Sequence, residues 1–117
     1  MSQDLKNKMG IYQIINIIDG KRYIGSSNNL HKRRLRHFWM LKNNRHTNYH
    51  LQNAYNKYGL QNFKFEVLEF VESEDLLLPR EQYYIELYQV CDKTKGYNLI
   101  IDATRNVPSG EIRKKNK

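Results

Sequence analysis

The chain has 117 residues, which suits one domain around one hydrophobic core and is too short for two ordinary domains. Hydrophobic residues make up 39%, enough for such a core, so wholesale disorder is not expected. The formal net charge of +8 favours a polyanionic partner, most often nucleic acid, over the alternative of an ordinary cationic surface. The single cysteine, Cys91, excludes an intramolecular disulfide and a cysteine-rich zinc site.

The first residues lack the apolar stretch of a secretion signal, and no apolar run approaches the length that spans a membrane. We therefore expect a cytoplasmic protein with no membrane contact, monomeric as an isolated domain. Residues 1–8 are polar and are predicted to be a flexible N-terminus. Residues 106–117 are expected to form a basic tail or the start of a linker, which leaves residues 9–105 for the folded domain.

The first predicted elements are two strands joined by a tight turn. Residues 10–18 are rich in β-branched side chains, which favours a strand. Asp19-Gly20 is a strong signal for a two-residue hairpin turn, so residues 21–25 are predicted to form the return strand.

Apolar residues at helical spacing follow twice, before one further strand and one further helix. The spacing predicts helices over residues 30–42 and 49–58, a strand over 63–71 and a helix over about 75–89. Pro79 lies inside the last span, so this helix either begins near the proline or is kinked by it. The order β-β-α-α-β-α predicts an α/β (α+β) fold, with a small, mainly antiparallel three-stranded sheet flanked by helices.

Two tyrosines of the hairpin are the first candidates for a site. A two-residue turn pairs Ile18 with Lys21, and the alternation of sides then puts Tyr12 and Tyr23 on the same face. In this register they are roughly 13 Å apart along the sheet. Gly25 leaves open backbone on that face, where a ligand could approach. A shared small site therefore needs a bulge or a slipped register; otherwise both tyrosines simply pack in the core.

A carboxylate lies on the apolar side of the last helix. At about 100° per residue, Glu81 falls on the same side as Leu77, Tyr84 and Tyr88. A buried carboxylate is unfavourable unless a metal ion, an arginine or hydrogen bonds meet it, which leaves a metal ligand and a structural salt bridge as alternatives. The sequence has no cluster of several carboxylates, so a site built on Glu81 is expected to hold one metal ion rather than two.

Residues 31–37 form a dense basic run. The arginine fork binds phosphate through paired donors and keeps its charge, so this run either contacts phosphate or forms a solvated helix face. Helical spacing does not distinguish among its arginines. His46 and His50 are four residues apart, which suits a metal ion on a helix, but no third ligand of the usual type accompanies them, so a zinc site is not expected.

Five motifs follow one another along residues 9–104. They are Gly10-Ile11-Tyr12 with Tyr23-Ile24-Gly25, then Gly25-Ser26-Ser27 leading to Arg33 and His37, residues 51–59, residues 80–85 around Glu81, and Gly96-Tyr97-Asn98-Leu99. In order and spacing they resemble the GIY-YIG nuclease family. Within that family the chain is most similar to the catalytic domains of phage and intron-encoded homing endonucleases.

The resemblance implies a DNA endonuclease that hydrolyses phosphodiester bonds with one Mg²⁺ or Mn²⁺ ion. It assigns Glu81 as the metal ligand and Arg33 as the group that stabilises the phosphate. Tyr12 is implied as a general base or as the residue that positions water, and both roles stay open because free tyrosine has a pKa near 10. Four further residues are implied as supporting members of the site: Tyr23, His37, His46 and Asn98.

The charge leaves a second function open, a non-catalytic nucleic-acid-binding module that binds DNA in a salt-sensitive way and does not cut it. A protein-interaction domain is a third hypothesis, but it leaves Glu81 unexplained. No zinc-finger or paired-helix reader is recognisable in residues 90–117, so cutting is expected to show little sequence preference.

Overall fold

The computed structural model describes residues 4–99, and its elements follow the predicted order β-β-α-α-β-α. The strands are β1 (Gly10–Asn16), β2 (Arg22–Ser27) and β3 (Phe63–Phe70), and the helices are α1 (Leu30–Lys42), α2 (Tyr49–Tyr58) and α3 (Leu77–Tyr88). Short 3₁₀ turns, Leu60–Asn62 and Glu74–Leu76, precede β3 and α3. The strands form one antiparallel sheet in the order β2-β1-β3, which confirms the predicted fold class.

Side-chain caps fix where the first two helices begin. The Asn29 side chain accepts the Lys32 backbone N–H (3.1 Å), and the Asn48 side chain accepts the Leu51 backbone N–H (3.0 Å). Helix α2 ends at Gly59, whose φ of +90° lies in the region that favours glycine. Both helices have the bounds that the apolar spacing predicts.

Pro79 lies in the first turn of α3, because the α-helix begins at Leu77. The first amide groups of a helix have no acceptor within it, so a proline there removes no helical hydrogen bond. Of the two alternatives, the structure therefore has the helix beginning near the proline. The helix ends at Tyr88, and the next residue, Gln89, adopts a left-handed backbone conformation.

The hairpin register differs from the predicted one. Ile14 pairs with Tyr23, and Tyr12 pairs with Gly25, which is a slip of two residues along the ladder. The two tyrosines still share a face, but they are now two residues apart along the sheet instead of four. The slipped register that a shared site requires is thus the one observed.

Asn16 causes the slip by closing a longer turn. Its carbonyl accepts the Gly20 backbone N–H (2.8 Å), and its side-chain oxygen accepts the Ile18 backbone N–H (2.9 Å). The Asn16 amide also donates to the Tyr97 hydroxyl (3.1 Å), which holds it in this buried position. The prediction of a two-residue Asp-Gly turn was therefore wrong, because a side chain before the turn competes for its backbone groups.

The sheet separates two hydrophobic cores. Alternate strand residues face α1 and α2, and the residues between them face α3. The first core contains nine buried residues: Leu5, Tyr12, Ile14, Leu30, Leu41, Leu51, Ala54, Phe63 and Tyr97. The second contains four: Ile11, Ile24, Ile85 and Val90. Because β2 is an outer strand, side chains from the two faces can meet beyond its edge.

The segment before β1 is anchored rather than loose. Leu5 is 1% exposed within the first core, and the Lys8 carbonyl accepts the Leu30 backbone N–H (2.9 Å). One apolar side chain thus packs this polar segment, part of the stretch predicted to be flexible, against the domain. Residues 1–3, the predicted tail over 106–117 and the last part of the predicted domain lie outside the described residues. Within residues 4–99, no helix is long and apolar enough to cross a membrane.

Candidate active site

The phenol of Tyr12 lies across the backbone of Gly25. A Cβ built on Gly25 would be 2.6 Å from Tyr12 Cζ, closer than real side chains approach, and nearer still to the hydroxyl oxygen. On its other side the Tyr12 ring stacks on Phe65, with 4.7 Å between ring centroids. Glycine is thus required at position 25 by space, and it lets a side chain from β1 extend over the outer strand β2.

Two histidines continue from the Tyr12 hydroxyl. Tyr12 Oη is 2.6 Å from His37 Nε2, and His37 Nδ1 is 2.8 Å from His46 Nε2. The Asn48 backbone N–H donates to His46 Nδ1 (3.0 Å), so a neutral His46 carries its proton on Nε2. His46 then donates to His37, and His37 donates to Tyr12. We therefore assign Tyr12 Oη as an acceptor, which leaves its own O–H for another group at the site.

Burial keeps the hydrogen-bonded side chains of Tyr12, His37 and His46 uncharged. Burial, with the nearby His46 and Arg33, lowers the pKa of His37 to about 3, and burial lowers the pKa of His46 to about 4. Burial raises the pKa of Tyr12 well above its ordinary value, although the charge of Arg33 opposes the shift. At neutral pH both imidazoles are therefore neutral, as the assigned hydrogen bonds require, and Tyr12 is a phenol.

Tyr23 belongs to the same cluster. Its ring lies edge-on to His37 and His46, with centroid separations of 5.6 Å and 6.1 Å. Burial, with a smaller contribution from the charge of Glu81, raises the pKa of Tyr23 to about 12. Four residues singled out from the sequence, Tyr12, Tyr23, His37 and His46, are thus together on the face of the sheet that α1 and α2 cover.

Glu81 reaches the cluster from the opposite face of the sheet. It is 4% exposed on α3, and the Ser26 hydroxyl donates to its Oε1 atom. Its charge contributes to raising the pKa of both Tyr12 and Tyr23. Within residues 4–99 no ion pair involves Glu81, so a structural salt bridge does not account for its burial there.

Arg33 is the positive charge beside this carboxylate. Its Nη1 atom donates to the Ser26 carbonyl (3.2 Å), which holds the guanidinium at the edge of β2. Burial raises the pKa of Glu81, and the Ser26 hydrogen bond and the charge of Arg33 oppose that rise. Of the two adjacent arginines that the sequence leaves ambiguous, it is Arg33 rather than Arg34 that makes these contacts.

Asn98 holds the outer strand in position. Its Oδ1 accepts the Ile24 backbone N–H (2.8 Å), and its Nδ2 donates to the Ile24 carbonyl (2.9 Å). These bonds take the place of a neighbouring strand, between the positions of Tyr23 and Gly25. Asn98 therefore acts on the site through the backbone of β2.

Three supporting residues were not proposed from the sequence: Ser26, Asn48 and Gln52. Gln52 accepts the His46 backbone N–H (2.9 Å) and donates to the Leu41 carbonyl (3.0 Å), so it fixes the loop that carries His46. A buried glutamine on the apolar side of α2 is a signal that could have identified it, because buried amides need partners. Ser26 follows from strand alternation, which puts it on the same side as Ile24, toward α3.

His46 and His50 pack against different rings. The ring of His50 packs edge-on against Tyr49, with 4.5 Å between centroids, and not against His46. In the part of the chain that the structure describes, no three His, Cys, Asp or Glu side chains are grouped so that they could hold a metal ion. The carboxylate that contacts β2 beside the cluster is that of Glu81.

Comparison with known proteins gives this arrangement a family. Residues 8–98 match the GIY-YIG catalytic domain. The chain belongs to this family. It is 41% identical over 98 residues to intron-associated endonuclease 1 of Enterobacteria phage T4. This alignment covers 83% of the present chain and 38% of the phage protein. It is also 36% identical over 74 residues to probable intron-encoded endonuclease 1 of Neurospora crassa. This second alignment covers 63% of the present chain and 23% of the Neurospora protein. The GIY-YIG domain described here thus corresponds to well under half the length of these relatives.

Solved structures agree with the sequence matches. The catalytic domain of homing endonuclease I-TevI superposes with a TM-score of 0.72 at 36% identity, covering 80% of this chain and 99% of that one. A variant of the same catalytic domain gives a TM-score of 0.72 at 35% identity, covering 80% and 94%. These similarities confirm the resemblance to the homing-endonuclease members of the GIY-YIG family.

Proposed function

We propose that this domain is a DNA endonuclease that hydrolyses phosphodiester bonds with one Mg²⁺ or Mn²⁺ ion. The observation that carries the proposal is the convergence of Tyr12, Arg33 and Glu81 at the edge of β2, from three elements and both faces of the sheet. Family membership supports it, as do relatives named as intron-associated and intron-encoded endonucleases. All three side chains come from one chain, so we expect a monomer to be sufficient.

Glu81 is the residue that would hold the metal ion. Mg²⁺ is commonly bound through one or two carboxylates, with phosphate oxygens and water completing its coordination, so a lone carboxylate fits this ion. A cation beside Glu81 would lower the pKa of this carboxyl group and so offset the rise that burial causes. When bound, the ion would supply Lewis-acid stabilisation of the charge that develops on the phosphate.

Arg33 provides positive charge from the protein itself. Hydrolysis increases the negative charge on the oxygens around phosphorus, and a guanidinium keeps its proton throughout. The Arg33 guanidinium has several N–H donors, so the hydrogen bonds to the Ser26 carbonyl and to Tyr12 leave donors for phosphate oxygens. Because the side chain is already held beside Glu81, little reorganisation is needed when the charge develops.

Tyr12 positions the attacking water in this proposal. Its hydroxyl accepts a hydrogen bond from His37, so its own proton can be donated to a water molecule or a phosphate oxygen. A general-base role would require Arg33 and the bound cation to overcome the burial that raises the pKa of Tyr12. The pH profile of cleavage distinguishes the two roles: a rate that rises with pH in the wild type and becomes flat in Tyr12→Phe supports the base.

The test is cleavage of a supercoiled plasmid in Mg²⁺ by the purified chain and four variants. Glu81→Gln and Arg33→Ala are expected to lower the rate by at least about 10²-fold, because each removes a charge that acts on the transition state. Glu69→Gln and Arg34→Ala change the same residue types away from the cluster and are expected to cut at nearly the wild-type rate. Undiminished cutting by both site variants would overturn the assignment, and cutting that persists in EDTA would overturn the metal requirement.

A non-catalytic nucleic-acid-binding module is the second candidate, favoured by the net charge of +8. It predicts salt-sensitive DNA binding with no cut product in any divalent metal. The buried carboxylate of Glu81 argues against it, because an acidic group at a phosphate-binding surface repels its ligand unless a cation lies between them.

A further inference from the structure

The outward side of α1 carries two large apolar side chains among basic ones. Leu35 is 56% exposed and Trp39 is 55% exposed, and Lys32 and Arg36 are exposed as well. These four residues, called here the outer face of α1, have the spacing i, i+3, i+4 and i+7, so they form one stripe along the helix. Neighbouring exposed apolar side chains rimmed by charge are typical of a binding surface.

The outer face of α1 adjoins the active site. Successive residues are rotated by about 100° around α1, which puts Trp39 on the side farthest from the core and Arg33 on the side toward Glu81. Arg36 lies between these two positions. The charge of Arg36 is also near enough to His37 to contribute to its lowered pKa. Basic side chains therefore continue from the cluster around Gly25 onto the outer face.

Within residues 4–99, the positive charges of α1 are not offset by ion pairs. The helix has five lysines and arginines and no acidic residue: Lys32, Arg33, Arg34, Arg36 and Lys42. Over residues 4–99 the one ion pair joins Arg80 to Glu69, so none of these five is paired with a carboxylate there. Like charges three and four residues apart destabilise a helix, and a polyanion bound along α1 would relieve that repulsion.

We propose that the outer face of α1 binds double-stranded DNA next to the phosphodiester that is cut. The inference rests on the proposed function and adds to it the place where the flanking duplex lies. Lys32 and Arg36 contact phosphates, and Leu35 and Trp39 contact sugars or base edges, which is the usual division of work at such interfaces. A second copy of this chain is a poorer occupant, because it would bring the same basic stripe against itself.

Trp39 provides a direct probe, because it is the only tryptophan in the chain. A short duplex is added to the wild-type chain in EDTA, so that DNA is bound without metal-dependent cutting, and quenching of the fluorescence by acrylamide is measured. We expect the quenching constant to fall by about half or more at saturating duplex, because a DNA interface excludes solvent from the ring.

Affinity for a labelled duplex, followed by fluorescence anisotropy over a range of salt, tests the charged part of the face. Each phosphate contact contributes about 0.9 to the salt slope, so the double variant Lys32→Ala/Arg36→Ala should reduce the slope by about 2. It should weaken binding on the order of tenfold at about 0.1 M salt. Alanine is the best helix former, so α1 is expected to stay folded. The matched control is Lys64→Ala, an exposed lysine on the opposite outer strand β3, which should change neither quantity.

Each outcome separates this inference from the proposed function. A duplex that is bound, and is cut once Mg²⁺ is supplied, while Trp39 stays fully accessible to acrylamide overturns the inference and leaves the endonuclease standing. A double variant that behaves like Lys64→Ala does the same. A chain that neither binds nor cuts DNA removes both proposals. Protection of Trp39 that grows with protein concentration in the absence of DNA would show that a second copy covers the face instead.

Discussion

Replacing Gly25 by alanine tests how the site is assembled. The added Cβ would be 2.6 Å from Tyr12 Cζ and 3.1 Å from Cε2, whereas ordinary contacts begin near 3.4 Å. The phenol must therefore move by about 0.8 Å or more, together with the hydroxyl that lies 2.6 Å from His37 Nε2. A misplacement of about 1 Å can lower a rate on the order of 10²-fold, and overpacking of this kind destabilises a protein by about 1–3 kcal/mol.

The assay is plasmid cleavage, with urea unfolding measured in parallel. The clash is with the Tyr12 side chain, so in a Tyr12→Ala background the Gly25→Ala change should lower the unfolding free energy by less than about 0.5 kcal/mol. Gly20→Ala is the control: its Cβ has open space, but its φ of +77° is unfavourable for alanine. It should therefore lose about 1 kcal/mol of stability and keep nearly wild-type cutting. Wild-type cutting by Gly25→Ala, or an equal loss of stability in both backgrounds, would refute the reasoning.

Two further predictions concern the histidines and the hydrogen bonds that Asn98 makes to β2. The unfolded chain binds protons at histidine near pH 6.5, whereas folded His37 and His46 bind them only near 3 and 4, so acid favours unfolding. The unfolding free energy should fall as the pH drops below about 6.5, by up to about 1.4 kcal/mol per pH unit for each histidine. Urea titrations above and below that pH measure the slope, and His37→Gln should make it shallower; an unchanged slope would contradict the assignment. Asn98→Ala leaves the Ile24 peptide without both hydrogen bonds, so we expect a loss of roughly 2 kcal/mol and slower cutting. Hydrogen exchange at the Ile24 amide should accelerate. Unchanged exchange would contradict the role of Asn98 in holding β2.

The helices could be predicted from the sequence because their signals are local. Asparagines before α1 and α2 cap them through their own side chains, and Gly59 ends α2 where only glycine suits the backbone. These effects act within one turn of helix, so the order of residues is sufficient to locate them. The same holds for the apolar side of α3, which put Glu81 on the buried surface and did so correctly.

The hairpin register depended on contacts that a local pattern does not contain. Asn16 takes the backbone N–H of Ile18, but its side chain is kept in place by Tyr97, which is 81 residues away in the chain. An Asp-Gly pair predicts a tight turn only when no neighbouring side chain offers its backbone another partner. A register error of two residues preserves the face of each tyrosine, which is why their shared face could be predicted and their separation could not.

The position of β2 at the edge of the sheet explains how so few charged groups can form the site. In the middle of a sheet, Tyr12 and Glu81 would be kept apart because they lie on opposite faces. On the outer strand, Gly25 lets the Tyr12 phenol pass over one face, while the next residue, Ser26, binds Glu81 on the other. Arg33 then donates to the carbonyl of that same serine, so two consecutive residues of β2 connect all three groups. The geometry of the proposed site thus depends on how firmly a single outer strand is held. This is why Asn98, which bonds to the backbone of that strand, is expected to affect the rate of cutting.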